Sequence, residues 1–195
     1  MPTTPDEVER GSLAGPAPCT AVNWERLDVE PGSALLVVDA QHGFRTADTR
    51  HGADELERLL AARAPDFSLI IATQFVNAPD SLFRSLIGWD ELTGPPETDL
   101  LPAVAGVDPV VITKNGYGAG QQIGTLLAEH HISTVYVCGI DTDVCVLHNA
   151  AQLFDAGFTV IALTDACAST GGESAHTAAV AVLRRTIGDQ QVLGR

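Results

Sequence analysis

Basic residues are scarce in this chain, which has 11 lysines and arginines against 25 aspartates and glutamates among its 195 residues. The formal net charge of −14 repels phosphate backbones and anionic lipid surfaces. We therefore expect neither a nucleic-acid partner nor a membrane partner, whereas a small-molecule substrate is compatible with this charge.

Long hydrophobic runs are also missing, since the longest span about seven residues and roughly 20 are needed to cross a bilayer. Residues 1–10 are acidic and rich in proline and threonine. They have neither the basic start nor the apolar centre of a secretory signal. These features predict a cytoplasmic protein.

Closely spaced cysteine pairs are absent as well. No Cys-x-x-Cys occurs, so neither a zinc ribbon nor a thioredoxin-like motif is indicated. In a protein that is not exported, Cys19, Cys138, Cys145 and Cys167 are expected to be free thiols. Cys138 and Cys167 are interpreted as small hydrophobic packing residues.

From Ser33 onward, short apolar runs alternate with segments whose apolar residues have helical spacing. The apolar runs are continuous, which is typical of strands covered on both faces of a parallel sheet. The pattern predicts one α/β domain, a three-layer α/β/α sandwich with a mainly parallel, six-stranded, Rossmann-like sheet. The expected strands are Ala34–Asp39, Ser68–Thr73, Pro109–Thr113, Thr134–Cys138, Phe158–Leu163 and Gln191–Leu193. The expected helices are Ala53–Arg63, Gly120–His130, Asp143–Ala156 and Ser174–Ile187.

Two segments break this alternation. Residues 1–30 lack periodicity and are predicted to form a loosely ordered N-terminal arm, with Trp24 and Leu27 packing across the surface of a domain that spans residues 31–195. Residues 76–102 are rich in proline and glycine and predict a long excursion with one short helix at 81–87. Long loops in compact domains are often functional.

Cys145 follows the apolar run 135–138, Gly139 and a polar turn, and it opens an expected helix. Helix N-termini carry unpaired N–H groups and the positive end of the helix dipole, which favour a thiolate. The position therefore predicts a nucleophilic sulfur.

Asp39, Lys114 and Cys145 each end or follow an expected parallel strand. Ligands of open parallel sheets bind beyond the carboxyl ends of the strands, so these side chains are expected to meet at one edge. Taken singly, they could be a capping aspartate, a solvated lysine and a small filler. Together, a base, a cation and a thiol suit nucleophilic catalysis.

The chain resembles the isochorismatase-like cysteine hydrolases, a family that includes nicotinamidases, carbamoyl-amide hydrolases and ureidoacrylate hydrolases. The likeness runs from about Ser33 to the C-terminus, so that residues 31–195 are identified as one such hydrolase domain. The segments that carry it are Leu35–Phe44, Thr113–Gly118, Gly139–Val146 and Leu163–Ser169, followed by His176.

The resemblance implies a catalytic triad in which Asp39 is the general base, Lys114 its charge partner and Cys145 the nucleophile. It also implies a cis peptide between Ile140 and Asp141, which would turn the Asp141 N–H toward the Cys145 N–H as an oxyanion hole. The implied activity is hydrolysis of a small amide, carbamoyl or ureido C–N bond through a thioester. Family members are commonly dimers or tetramers, so a homo-oligomer is expected.

The nicotinamidases of this family carry an Asp-x-His pair after the second strand, which helps to ligate a metal ion. Here that place reads Thr73-Gln74-Phe75-Val76-Asn77, with no carboxylate or imidazole. We therefore predict a site without metal or other cofactor, and nicotinamidase activity is disfavoured.

Aromatic and amide side chains gather on and after the second strand and beside the other motifs. Such a lining suits a small, largely neutral ligand. The alternative is that the aromatic residues only close the core or bury a subunit contact. The predicted substrate-binding residues are Gln41, Phe44, Gln74, Phe75, Asn77, Phe83, Trp89 and Tyr117.

Two other functions remain open at this point. Enol-ether hydrolysis of the isochorismatase kind would use the aspartate as an acid and would need no thiol. The domain could also be a catalytically idle binding or scaffold protein, because fold and family do not fix a reaction.

Overall fold

A computed structural model of the chain describes residues 21–194, which are built around one sheet of six parallel strands. The strand order β3-β2-β1-β4-β5-β6 is that of a doubly wound α/β fold, which confirms the predicted fold class. The strands are β1 (Ala34–Val38), β2 (Leu69–Phe75), β3 (Val110–Lys114), β4 (Thr134–Ile140), β5 (Thr159–Ala168) and β6 (Val192–Leu193).

Helices cover both faces of this sheet. The first two contact each other, and the last three pack in series on the opposite side. Among the described residues, no helix has both the length and the hydropathy of a membrane span. The helices are α1 (Arg50–Arg63), α2 (Pro102–Ala105), α3 (Gly120–Glu129), α4 (Leu147–Asp155) and α5 (Glu173–Ile187).

Local chemistry explains where these elements form. All five residues of β1 are fully buried, as expected for the centre of a parallel sheet. Helix α5 has Glu173 in its first turn and Arg184 and Arg185 in its last turn, so these charges complement the helix dipole. It stops at Gly188, whose φ of +104° is accessible to glycine but not to a bulkier residue.

Three strands run two or more residues further than the hydrophobic pattern predicts. Strand β2 ends at Phe75 instead of Thr73, β4 at Ile140 instead of Cys138, and β5 at Ala168 instead of Leu163. Polar residues interrupt the apolar runs of β2 and β5, and Gly139 interrupts that of β4, but the backbone pairing continues past them. The β4–β5 register shifts between Val137 and Gly139, which lengthens β5.

The segment 21–30 lies against the domain. Trp24 and Leu27 are only 5% and 7% exposed and belong to the main core. The Trp24 indole donates to Glu55 on α1 over 2.8 Å, and the Tyr136 hydroxyl donates to the carbonyl of Asp28. The other residues of the predicted arm, 1–20 with Cys19, lie outside the described residues, as does Arg195.

Strands β1 and β4 are central neighbours, and the chain reverses its direction of winding between them. Their carboxyl ends border the crevice in which open α/β sheets bind ligands. The residues that follow β1 and β4 therefore face a common space.

Candidate active site

Asp39 directly follows β1 and is fully buried. Its φ of +48° lies in the left-handed region, which aspartate enters more easily than most residues. The hydroxyl of Thr73 on β2 holds it, because it accepts the Asp39 N–H over 3.1 Å and donates to Oδ1 over 2.7 Å. The other carboxylate oxygen, Oδ2, is buried and forms an ion pair with Lys114.

Lys114 ends β3 and reaches the same crevice from two strands away. Its Nζ lies 2.7 Å from Asp39 Oδ2 and 3.6 Å from Cys145 Sγ, and it donates to the carbonyl of Gly116 over 2.8 Å. The ammonium also lies 5.2 Å from the centre of the Phe75 ring. The lysine is therefore fixed between the carboxylate and the sulfur.

Cys145 lies in a wide first turn, Thr142–Val146, that precedes α4. The turn begins after a cis peptide between Ile140 and Asp141, and the Val146 N–H donates to the Asp141 carbonyl five residues earlier. Gly139 has a φ of +122°, and a Cβ there would collide with the Val38 carbonyl. Glycine thus lets β4 approach β1 just before the turn that carries the thiol.

The electrostatics of the thiol differ from the expectation based on a helix N-terminus. Burial, followed by the charge of Asp39, raises the pKa of the Cys145 thiol well above its usual value, and Lys114 opposes this shift. Cys145 is only 7% exposed, so desolvation is the largest cause of this shift. Burial and the Asp39 charge therefore favour the protonated thiol, whereas Lys114 favours the thiolate.

A cavity of about 320 Å³ opens over the sulfur. Asp141 and Cys145, the two residues of the expected oxyanion hole, both line it. Its opposite side is a continuous wall of aromatic rings, in which Trp89 stacks on Phe44 and Phe75 at centroid distances of 6.0 and 5.6 Å. Phe83 meets Tyr117 edge to face at 5.0 Å. We call Phe44, Phe75, Phe83, Trp89 and Tyr117 the aromatic wall.

The three amide side chains predicted to bind substrate do not line this cavity. Gln41 is fully buried, accepting the Phe75 N–H and donating to the carbonyls of Phe75 and Thr98. Gln74 also donates to the Thr98 carbonyl, over 2.9 Å. Asn77 donates to the carbonyls of Trp89 and Glu91. These amides hold the end of β2 and the excursion 76–102, which supplies Phe83 and Trp89 to the aromatic wall, because buried backbone groups need partners.

The sequence pattern of the isochorismatase domain matches residues 33–191. The chain belongs to the isochorismatase domain family. An uncharacterised family protein of Escherichia coli O157:H7, YecD, is 25% identical over 162 residues, an alignment that covers 72% of this chain and 82% of YecD.

Solved structures of the family share the fold. Nicotinamidase PncA of Bacillus subtilis superposes with a TM-score of 0.71 at 21% identity, covering 83% of this chain and 99% of that one. N-carbamoylsarcosine amidase of Thermoplasma acidophilum gives 0.66 at 21% identity, over 83% and 94% of the two chains. At this identity the likeness concerns the fold alone.

Gln74, near the end of strand β2, and Asn77, just after it, stand where the family resemblance implies a metal-binding pair, and neither carries a carboxylate or an imidazole. The amides of Gln74 and Asn77 are already bonded to the backbone. Within residues 21–194, no cluster of three histidine, cysteine or acidic side chains could hold a metal. A metal-independent site stays a prediction.

Sequence reasoning missed several residues that position the site. Asn149, one turn after Cys145, donates to the Cys145 carbonyl over 2.7 Å and accepts the Ala119 N–H. Thr170 donates its N–H and its hydroxyl to the Asp141 carboxylate, over 2.6 and 2.8 Å. Asn149 lies four residues after Cys145, and this helical spacing could have predicted its contact with the cysteine backbone. Thr170 lies in a loop, where no spacing predicts a contact with Asp141.

Proposed function

We propose that this protein is a cysteine-dependent amidohydrolase that cleaves the C–N bond of a small amide, carbamoyl or ureido compound through a thioester. The observation that carries the proposal is the position of Lys114 Nζ, 2.7 Å from the Asp39 carboxylate and 3.6 Å from the Cys145 sulfur. A carboxylate, an ammonium and a thiol thus lie together beside one cavity. Membership of a family that contains amide hydrolases supports the same reaction.

The first half of the proposed reaction forms the thioester. Asp39 takes the thiol proton as the sulfur of Cys145 attacks the substrate carbonyl, and the carbonyl π electrons move to oxygen. The backbone N–H groups of Asp141 and Cys145 stabilise this oxyanion, and one such donor is typically worth about 10²–10³ in rate. When the oxyanion collapses, the C–N bond breaks and protonated Asp39 gives its proton to the leaving nitrogen.

The second half releases the acid. Asp39, again a carboxylate, removes a proton from water, and the hydroxide formed attacks the thioester carbonyl. The C–S bond breaks, and the sulfur recovers the proton from Asp39. Lys114 keeps its positive charge throughout, stabilising the carboxylate and the developing thiolate in turn. A raised pKa of the Cys145 thiol suits this scheme, since Asp39 removes the thiol proton as the sulfur attacks.

The test is ammonia release from a panel of small amides, carbamoyl compounds and ureido compounds, followed by acid quenching and intact-mass measurement. We expect a substrate that yields ammonia and an acyl adduct on Cys145, both absent from Cys145→Ala. Hydrolysis of an enol ether by Cys145→Ala would support the isochorismatase-type reaction instead. A protein that binds panel members without turnover or adduct would be an idle binding member of the family.

A further inference from the structure

We propose that the part of the substrate beyond the scissile amide is apolar and carries a positive charge. This inference rests on the proposed hydrolysis, because it places the amide at Cys145 and the charged group at the far end of the cavity. Three properties of the cavity lead to this inference: the sign of the charges that line it, the exposed faces of its aromatic rings, and the hydrogen bond between Trp89 and Glu91.

The charged side chains that line the cavity are acidic. Glu91 and Asp141 line the cavity, whereas none of its described lining residues is a lysine, arginine or histidine. Lys114 lies beneath and is already paired with Asp39. Asp141 accepts two hydrogen bonds from Thr170, whereas the exposed Glu91 carboxylate accepts one from Trp89, so Glu91 has more capacity to meet a ligand. An anionic substrate would find no counter-charge on this wall.

The aromatic wall favours the same sign. Aromatic faces carry negative potential and attract cations, and cages of such rings recognise quaternary ammonium groups. The Trp89 Nε1–H donates to Glu91 Oε2 over 3.2 Å. The carboxylate beside the indole N–H makes the electrostatic potential at the ring more negative and orients the ring. Trp89 and Glu91 therefore act together on a cation at the rim.

The cavity has room for such a ligand. Its volume is about 320 Å³, and it extends from the sulfur of Cys145 to Glu91 and the half-open side chain of Trp89. A flat group attached to the amide would lie along the aromatic wall. Its far end would reach Glu91, where the site meets solvent.

Two isosteric ligands isolate the effect of charge. The 4-trimethylammonio and 4-tert-butyl derivatives of benzamide have nearly the same shape and differ by one positive charge, and 4-carboxybenzamide supplies the anion. Binding is measured with Cys145→Ala by calorimetry, and turnover with the wild-type protein by ammonia release. We expect the cation to bind about tenfold or more tightly than its neutral isostere, and the anion to bind weakest.

Glu91→Gln tests the residue assigned to this selectivity. We expect it to reduce the preference for the cation severalfold and to leave the affinity for the tert-butyl compound nearly unchanged. Asp90→Asn is the matched control, since it removes an equal charge one residue away. Asp90 pairs with Arg84 outside the cavity wall, so this variant should keep the wild-type preference.

The outcomes separate this inference from the proposed reaction. Selective binding of the cation without ammonia release from any amide would support the pocket assignment and contradict the hydrolase. Turnover with equal or better use of the neutral or anionic amide would support the hydrolase and overturn the inference. Binding of none of the three ligands would overturn it as well.

Discussion

Two groups of side chains meet at the carboxyl edge of the sheet, and they are held there in different ways. Asp39 directly follows β1, Lys114 ends β3 and Cys145 lies in the helical turn after β4, and all three are at most 7% exposed. Of the aromatic wall, only Phe75 lies in a strand, whereas the other rings come from loops and short helical turns, and Tyr117 is 39% exposed. The sheet thus positions the proposed reacting groups, whereas the segments between the strands present most of the surface proposed to meet the ligand.

The largest effect should follow from removing the sulfur. We expect Cys145→Ala to lower kcat/KM by at least about 10⁴-fold, because the covalent route is lost. Ammonia release measures the loss, and thermal unfolding should show a nearly unchanged Tm. Cys167→Ala is the control, since it removes another buried thiol that bonds the backbone and does not line the cavity. Substantial turnover by Cys145→Ala would contradict the thioester mechanism.

Asp39→Asn should weaken both activity and stability. Loss of the base is expected to lower kcat about 10³-fold. The change also leaves the buried Lys114 ammonium without its counter-charge, which costs about 3–5 kcal/mol in the free energy of unfolding. Turnover and urea unfolding measure the two effects.

The exposed pair of Arg45 and Asp54 supplies the control for that variant. Asp54→Asn should cost less than about 1 kcal/mol and leave turnover intact, because solvent screens both charges. Equal unfolding free energies for Asp39→Asn and Asp54→Asn would show that the buried pair does not stabilise the fold.

The contrast between the two regions also explains what could be predicted from sequence. The strand-end residues were predictable because parallel strands share one carboxyl edge, so Asp39, Lys114 and Cys145 had to come close in space. The aromatic residues of the wall were predictable as a group, since large apolar side chains after a strand must find a covered position. Their arrangement along the cavity depends on the backbone path of the loops, and no hydrophobic periodicity in the sequence predicts that path.

The amides show where sequence reasoning failed. Gln41, Gln74 and Asn77 look like ligand-binding groups when only residue type and position are known. Their role depends on which backbone groups of the excursion 76–102 lack partners, and only the folded loop reveals this. The upward direction in which burial shifts the pKa of Cys145 could not be predicted for a similar reason, because the depth of burial cannot be deduced from a helix start.

Asn77→Ala tests the difference between the two groups of side chains, since it should move the aromatic wall without altering Asp39, Lys114 or Cys145. Loss of the bonds to the Trp89 and Glu91 carbonyls should destabilise the fold by about 1–3 kcal/mol. We expect KM to rise about tenfold with kcat less affected, because the ring positions shift and the sulfur does not. Steady-state kinetics and urea unfolding measure both. Asn23→Ala, which removes only an exposed helix cap, should leave KM unchanged.

The smallest expected effect is on the rate at which iodoacetamide alkylates Cys145. Intact-mass measurement over time gives this rate. Because burial and Asp39 raise the pKa of this thiol, we expect alkylation at pH 7 to be slower than for a cysteine peptide, whose pKa is about 8.5. The rate should keep rising to pH 9. Lys114→Met removes the cation that lowers the pKa and should slow labelling a further fewfold.

The alkylation experiment has an internal control in Cys167 and an upper limit of usable pH. Burial raises the pKa of Cys167 to about 12, so this thiol should stay unlabelled in the native protein. Thiols whose pKa is raised by folding ionise more readily in the unfolded chain, so stability falls as pH rises above about 8.5. Labelling is therefore measured only where unfolding probes show the native state. A rate that levels off below pH 8 would mean that the helix terminus and Lys114 outweigh desolvation, and that the sulfur rests as a thiolate.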